Sequence, residues 1–455
     1  MSEKRETRDE QRKTNNEQRY DAIIVGARAA GAVMAALLAR ENFRVLLVDR
    51  VTFPKPTLSC PITFGNTFDV LNRIGVLEKI ESLGAPKLRL YRTQMRDIQM
   101  HGRMLPYAGF DYAYQIRREL YDEAIFNHVA QMPNVETRLG FNVTDLIWED
   151  ARVVGVRGSE GGGQAQEIRA DAVIGADGIF STIAEKVNAK KYDVIAGHTC
   201  IYYAYYENVK PATTEPTATI YYDADEHFAF VTANSDSDLT VVSISLPASQ
   251  FERVRQNYEN VHFEYAQKIP EMSERMREAK RATPVYGVSP RESFYREPFG
   301  NGWVLIGDAA YYKDPLPGQG IHDALRSAEL ATQAFVEYRA LGKSARAWNN
   351  AFSVYHKTRD RETKAMYKLT DFYADLERPR TAQELDFFRA IAEQPKWSNI
   401  YVSMFNGVTS VSWFRRFDTV MRILLEWRWG QLKKKLFGTR AERDANSAPR
   451  ADAIT

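Results

Sequence analysis

Hydrophobic and polar positions change pattern several times along this chain. From Tyr20 to Gly26 the run D-A-I-I-V-G has the make-up of a strand buried on both faces. The alanine-rich segment Ala29 to Arg40 follows with strong helix propensity. R-V-L-L-V-D at Arg44 to Asp49 then predicts a second strand ending in an acid. Such a strand–turn–helix–strand unit is right-handed by the rule for parallel crossovers. Proline-punctuated Pro54 to Pro61 reads as a loop at the carboxyl edge of the sheet. Tyr114 to Val129 is expected to be helix, and Val135 to Trp148 one or two strands. Gly158 to Gly163 predicts a hairpin turn, and A-D-A-V-I-G at Ala170 to Gly175 another central strand. Between Thr199 and Leu246 the pattern becomes alternating and tyrosine-rich, which predicts an inserted antiparallel sheet with one face over a ligand cavity. Phe251 to Arg281 reads as a charged helical stretch, Gly302 to Gly307 as a strand returning to the first domain, and the chain beyond Ile321 as mostly helix.

Composition narrows the classes. A chain of 455 residues holds two intimate domains or one domain with an inserted lobe. Hydrophobic residues at 44% and charged residues at 26% give an ordinary globular balance, and a net charge of +2 offers no footprint for nucleic acid. The 24 tyrosines and 23 phenylalanines serve packing or line a pocket for a flat, apolar ligand. Two cysteines, Cys60 and Cys200, support neither a disulfide framework nor a metal site, which suits a reducing cytoplasm. The histidines show no ligand spacing, so no metal is expected. Residues 1–19 are charged in both signs and read as a disordered leader rather than a signal peptide, and residues 441–455 as a disordered tail. No apolar run is long enough to predict a transmembrane span.

Three glycine-rich signals carry the chemistry: V-G-A-R-A-A-G at Val25 to Gly31, G-A-D-G-I-F-S at Gly175 to Ser181, and G-D-A-A-Y-Y-K-D-P-L-P-G-Q-G at Gly307 to Gly320. A dinucleotide pyrophosphate needs backbone N–H donors at a helix N-terminus with no side chain in the way. Gly26 supplies the tight turn, and Gly31 lets the helix pack on the strand. The middle glycine of G-x-G-x-x-G is replaced by Arg28, which serves if its guanidinium reaches over the phosphates or the flavin edge. Asp49 lies 23 residues beyond Gly26, where an acid can bond an adenosine ribose. Asp177 accepts from backbone N–H groups or a ribose, or caps a turn. Asp308 is placed for ribityl hydroxyls, and Pro315, Gly318 and Gly320 lead into a helix whose dipole would stabilise an anionic reduced flavin. The order of the three signals describes one chain folding back twice on FAD.

On these motifs, from about Tyr20 to Ala340, the chain resembles the group A flavoprotein monooxygenases, the para-hydroxybenzoate hydroxylase-like superfamily that also holds flavin halogenases and geranylgeranyl reductases. The resemblance implies an α/β fold in which a Rossmann-like FAD-binding domain (20–90, 110–190 and 300–345) is interleaved with an antiparallel β-sheet substrate domain (91–109 and 191–299), followed by a helical C-terminal region (346–440). It implies FAD contacts at Gly26, Gly31, Asp49, Asp177, Gly178, Asp308, Pro315, Gly318 and Gly320, with Ala29, Arg50 and Gly307 beside them. Arg117, in I-R-R-E-L, matches an arginine that starts a helix near the flavin. G-A-R-x-A-G, Thr52 to Lys55 and Lys313 to Gly320 are similar to one branch of the superfamily, in which Arg28 is a shared trait.

The resemblance implies an oxidoreductase using NAD(P)H as a transient co-substrate and O2, hydroxylating an aromatic or polycyclic small molecule through a flavin C4a-hydroperoxide. A reductase of isoprenoid-type double bonds is the alternative, since Cys60 stands near where those enzymes place a cysteine; its other reading is a small buried hydrophobe. A halogenase or a non-catalytic FAD-binding protein comes next, though the only W-x-W, Trp427 to Trp429, lacks I-P and lies in the wrong region. No catalytic base is legible. His322 and Cys60 are the candidates, with His322 more simply packing a helix start. The segment from Trp413 to Phe437 interleaves aromatics with Arg and Lys, which suits either a packed helix with a basic face or peripheral membrane contact.

Overall fold

A computed structural model describes residues 20–223 and 225–437; the expected leader, tail and last residues of the helical region lie outside it. Its central sheet runs Phe299–Gly300, Trp303–Leu305, Gln166–Gly175, Tyr20–Val25, Val45–Asp49, Val135–Leu139. All neighbours are parallel except the short edge strand Phe299–Gly300. Because residues alternate across a strand, Ala22 and Ile24 face one side and Ile23 and Val25 the other, and both sides are dry. Ala22, Ile24, Val45 and Leu47 pack against the helices Ala29–Arg40 and Gly320–Ala340. Ile23, Leu46 and Val48 pack against a hairpin of Phe141–Glu149 and Arg152–Glu160. Three layers result.

The strand Gln166–Gly175 belongs to two ladders. Its first residues, Gln166 to Arg169, pair antiparallel with the hairpin, whereas Ala170 to Gly175 pair parallel with Tyr20–Val25.

The second large sheet has the order Lys280–Arg281, Thr199–Glu207, Thr240–Pro247, Phe228–Asn234, Thr217–Asp223, Leu90–Met95, Ile98–Arg103, with Tyr286–Val288 also on Thr199–Glu207. The hairpin from Leu90 joins through a parallel pairing with Thr217–Asp223. One face, with Tyr202, Tyr206, Phe228 and Phe230, is covered by short helices carrying Val254, Val261, Tyr265 and Met272. The other face, with Tyr91, Met100, Tyr203 and Val241, meets the C-terminal helices.

Several expectations need adjustment. Helix begins at Arg118, not Tyr114, because Tyr114–Gln115 is a strand paired with Ile62–Thr63. Phe251 to Arg281 breaks into the helices Phe251–Val254, Val261–Ala266 and Pro270–Arg275, and Lys280–Arg281 ends it as an edge strand. Pro270 stands at the first turn of the third helix, where its missing N–H costs nothing. Gly158 lies inside a strand, and the turn falls on Gly161 and Gly162, both with positive φ.

Candidate FAD and substrate site

The carboxyl ends of Tyr20–Val25, Val45–Asp49, Gln166–Gly175 and Trp303–Leu305 open into one cavity of about 1200 Å³. That exceeds the roughly 300–1,000 Å³ usual for a single small ligand. Glycines of two kinds shape its floor, and the expected contact Gly31 lies outside the lining, behind Gly26, where it packs the helix Ala29–Arg40 on the strand Tyr20–Val25. Gly26 has φ +106, and a Cβ there would stand 2.4 Å from the carbonyl oxygen of Ala176; a Cβ on Gly31 would stand 1.8 Å from that of Gly26. These two glycines let backbone touch backbone. Gly178, Gly318 and Gly320 also line the cavity, yet a Cβ on any of them would meet nothing within 4 Å. There the open space itself is what an added side chain would take.

The helices Ala29–Arg40 and Gly320–Ala340 both start at this floor, and neither has a side-chain cap. Some helices elsewhere are capped, by Ser181, Ser344, Thr381 and Ser410, and others such as Gly65–Arg73 and Arg118–Val129 are not; what matters for these two is that they open on the cavity floor. Exposed first-turn N–H groups and the positive ends of two dipoles thus face one cavity, as an anionic pyrophosphate requires.

Charged side chains complete the floor. Asp49 accepts from the N–H groups of Ala27 at 2.8 Å and Val51 at 3.0 Å, which sets the loop geometry and leaves carboxylate lone pairs for a ribose. Arg50 lines the same end. Asp177 accepts from Ser181 Oγ at 2.5 Å and from the N–H of Ile183 at 3.2 Å, so it caps the helix Thr182–Lys186 while lining the cavity. Burial raises Asp308 to about 6, against the pull of Arg118, Lys313 and Arg291. Burial also lowers Lys313 to about 7, although its ammonium is paired with Asp323. Asp323 and the nearby Asp308 both favour the charged amine, so burial is what pulls it down.

The residues present therefore fit FAD: glycines that would be filled by a Cβ, two uncapped helix starts, and buried acids on the floor. Residues 19–366 match the FAD binding domain family, and the chain belongs to it. The protein is accordingly an FAD-dependent oxidoreductase. It is 25% identical to a digeranylgeranylglycerophospholipid reductase of Methanosarcina acetivorans, over 76% of this chain and 81% of that one. It is 26% identical to a kynurenine 3-monooxygenase of Salinispora arenicola, over 68% of this chain and 71% of that one. Among solved structures the flavin-dependent brominase Bmp2 superposes with a TM-score of 0.75 at 19% identity, covering 90% of this chain and all (100%) of that one. At that identity the likeness shows the fold.

The structure redistributes several expected site residues. Arg28 lines the cavity, but its guanidinium is held by Asp122 at 2.7 Å and donates to the Lys55 carbonyl at 3.2 Å. It therefore anchors the loop after Asp49 rather than reaching freely over the floor. Arg117 does not line the cavity; it crosses to the second sheet, where Nε donates to Asp236 at 2.8 Å. Arg118 is the neighbour that faces inward, and buried Asp122 holds it at 2.8 Å. The doublet Arg117–Arg118 gave no sign of which would point in, because that depends on where the helix starts. Gly307 also stands off the cavity, with φ +57 and its N–H donated to Ser327 Oγ at 2.8 Å. A Cβ there would come within 3.0 Å of Ala30. Ala29 and Pro315 line the cavity as expected. His322 does not: it packs in the helix start, where burial lowers it to about 4. Arg291, with Nε buried and unpartnered and its guanidinium over the Phe180 ring, belongs to the wall and had no motif to reveal it.

Away from the floor the wall turns apolar. The sheet contributes Tyr91, Met95, Met100, Ile201, Ile220 and Val231, and the C-terminal region closes over it with Phe388 and Val402 from helices and Phe405 from the turn after Ser403. The polar groups here are neutral hydroxyls, among them Thr93, Tyr222, Ser243 and Ser245. Tyr373 and Tyr401 share a hydrogen bond of 2.7 Å in the roof, and Tyr203 donates to the Thr57 carbonyl at 3.0 Å. Among the described residues, no histidine or glutamate lines the cavity. Cys60 lines it, and burial pushes its thiol up to about 12. Trp427 and Trp429 are absent from the wall; Trp427 instead donates to Glu393 at 2.8 Å.

Proposed function

We propose that this protein is a monooxygenase that hydroxylates an apolar aromatic or polycyclic small molecule with NAD(P)H and O2. The balance is one C–H bond, O2, NAD(P)H and a proton in, and one C–OH bond, water and NAD(P)+ out. Bound FAD would supply the redox chemistry between nicotinamide and oxygen. The observation that carries the reading is the contrast within one cavity: a charged, glycine-built floor below an apolar chamber without histidine or glutamate. Such a chamber can orient a hydrophobic substrate and exclude water, and oxygen transfer from a flavin asks little else of the protein. Gly26, Asp49, Asp177, Gly178, Asp308, Gly318 and Gly320 would hold the cofactor, with Gly31 seating the helix that starts beneath it. Tyr373 and Tyr401 would bond a substrate hydroxyl or carbonyl.

Reduction of an isoprenoid-type double bond is the second reading, favoured by one residue. Cys60 stays a protonated thiol at neutral pH in the wall of the cavity, and reduction of an alkene needs a proton as well as a hydride. NAD(P)H oxidation measured with candidate substrates in air and under argon separates the two. Oxygen-dependent turnover with one oxygen atom gained by the product supports the hydroxylase. Turnover under argon with two hydrogens gained, lost in Cys60→Ala, would overturn it in favour of the reductase.

A further inference from the structure

The last described helix, Phe417–Phe437, carries two apolar faces. One is packed: Ile423 and Trp427 are buried, the Ile423 carbonyl accepts from Gln394 at 3.1 Å, and Glu426 accepts from Trp397 Nε1 at 2.7 Å. Phe417, Met421, Leu425, Trp429, Leu432 and Leu436 recur at helical spacing on the opposite side. They are open, with Phe417 80%, Leu425 60% and Trp429 58% exposed. A contiguous apolar row of this length on a surface helix marks a contact surface.

Its surroundings identify the partner. Arg422, Arg428, Lys433, Lys434 and Lys435 crowd the same helix, and Glu426 is the one acid between Arg422 and Phe437. Large apolar side chains edged by cations, with a tryptophan at the boundary, match an anionic lipid surface, where the row enters the acyl boundary and the cations meet phosphate headgroups. No described helix is long and apolar enough to cross a membrane. We propose that this helix docks the protein peripherally on anionic phospholipid bilayers. The helix rests on Ala382–Ala392 and Pro395–Ser403, which supply Phe388, Tyr401 and Val402 to the cavity roof. Docking therefore brings the chamber within one helix layer of the lipid, a position suited to a substrate dissolved in it. Membrane docking by this helix does not depend on which reaction the cavity carries out.

The test is flotation of the FAD-loaded full-length protein with phosphatidylcholine vesicles, with and without phosphatidylglycerol. The expected result is partition at least roughly tenfold stronger onto the anionic vesicles, weakened by salt. Leu425→Glu with Trp429→Glu should remove it while the flavin absorbance and thermal midpoint stay unchanged, since both side chains are exposed. Lys433→Glu with Lys435→Glu should reduce it by a similar factor. Equal flotation of wild type and the apolar double variant, or no flotation of either, overturns the proposal. So does a wild-type dimer that the double variant splits into monomers in sedimentation velocity, because the row would then belong to a second copy of the chain.

Discussion

Glycines that look alike in the sequence do different work, and substitution separates them. Gly31→Ala places a Cβ against the Gly26 carbonyl and should cost several kcal/mol, roughly 3 or more, seen as lost soluble yield or a collapsed urea midpoint. Gly320→Ala meets no protein atom, so the FAD-free protein should be as stable as wild type or better by up to about 1 kcal/mol. Its FAD affinity should nevertheless fall at least roughly tenfold, because the methyl projects into the cavity floor. Equal FAD affinity in titration calorimetry would remove Gly320 from the cofactor site. Asp308 gives a pH prediction at the same scale. Its carboxyl binds a proton in the folded protein up to about pH 6, against about 3.8 when unfolded. The FAD-free fold thus loses stability as pH rises through that window, of the order of 3 kcal/mol in all. Asp308→Asn should flatten this part of the profile in urea melts. With Asp308 accepting from FAD hydroxyls as proposed, its carboxylate form would bind FAD better, so wild-type affinity should weaken below about pH 6 by up to tenfold per unit, and Asp308→Asn should lose that dependence.

At the scale of elements, the helix Arg118–Val129 ties the floor together through Asp122. That buried carboxylate holds Arg118 and Arg28, and Arg28 in turn holds the loop carbonyl of Lys55. Asp122→Ala leaves two guanidinium groups without their partner and should destabilise by about 3–5 kcal/mol in chemical denaturation. Proteolysis should then cut first in the freed Lys55–Pro61 loop; an unchanged cleavage pattern would show that Arg28 does not hold it. The sequence made some elements legible and hid others for physical reasons. Gly26 and Gly31 stand out because backbone approach to backbone admits few residue types, and Asp49 because a carboxylate ends an otherwise apolar strand. The central strands stand out because burial on both faces demands unbroken apolar runs such as Val45 to Val48. Arg118 stayed hidden behind Arg117 because two residues of strand, Tyr114–Gln115, delay the helix start. The cover over residues 251–276 looked like one helix because its charged residues repeat at helical spacing, while its short helices must bend around a twisted sheet.

At the scale of the whole molecule, one cavity is assembled from segments far apart in the chain: Gly26 to Asp49, the loop to Ile62, Ala176 to Thr182, and Asp308 to Ala324. A ligand bound to folded protein alone stabilises by about 2.7 kcal/mol at a hundredfold excess over its dissociation constant. FAD should therefore raise the thermal midpoint and slow amide exchange in these four segments together. Protection confined to the first would show that the second and third glycine signals do not share a ligand with it. The strand Gln166–Gly175, hydrogen-bonded to the hairpin at one end and to the central sheet at the other, has a mechanical consequence. Shearing the two ladders past each other would break backbone bonds along a single continuous strand, so the floor moves as one rigid block. The opposite side of the cavity, where the C-terminal helices rest on the sheet through side chains, has no such continuous strand. Substrate traffic should be gated by lifting that helical roof, with the cofactor end acting as the fixed jaw.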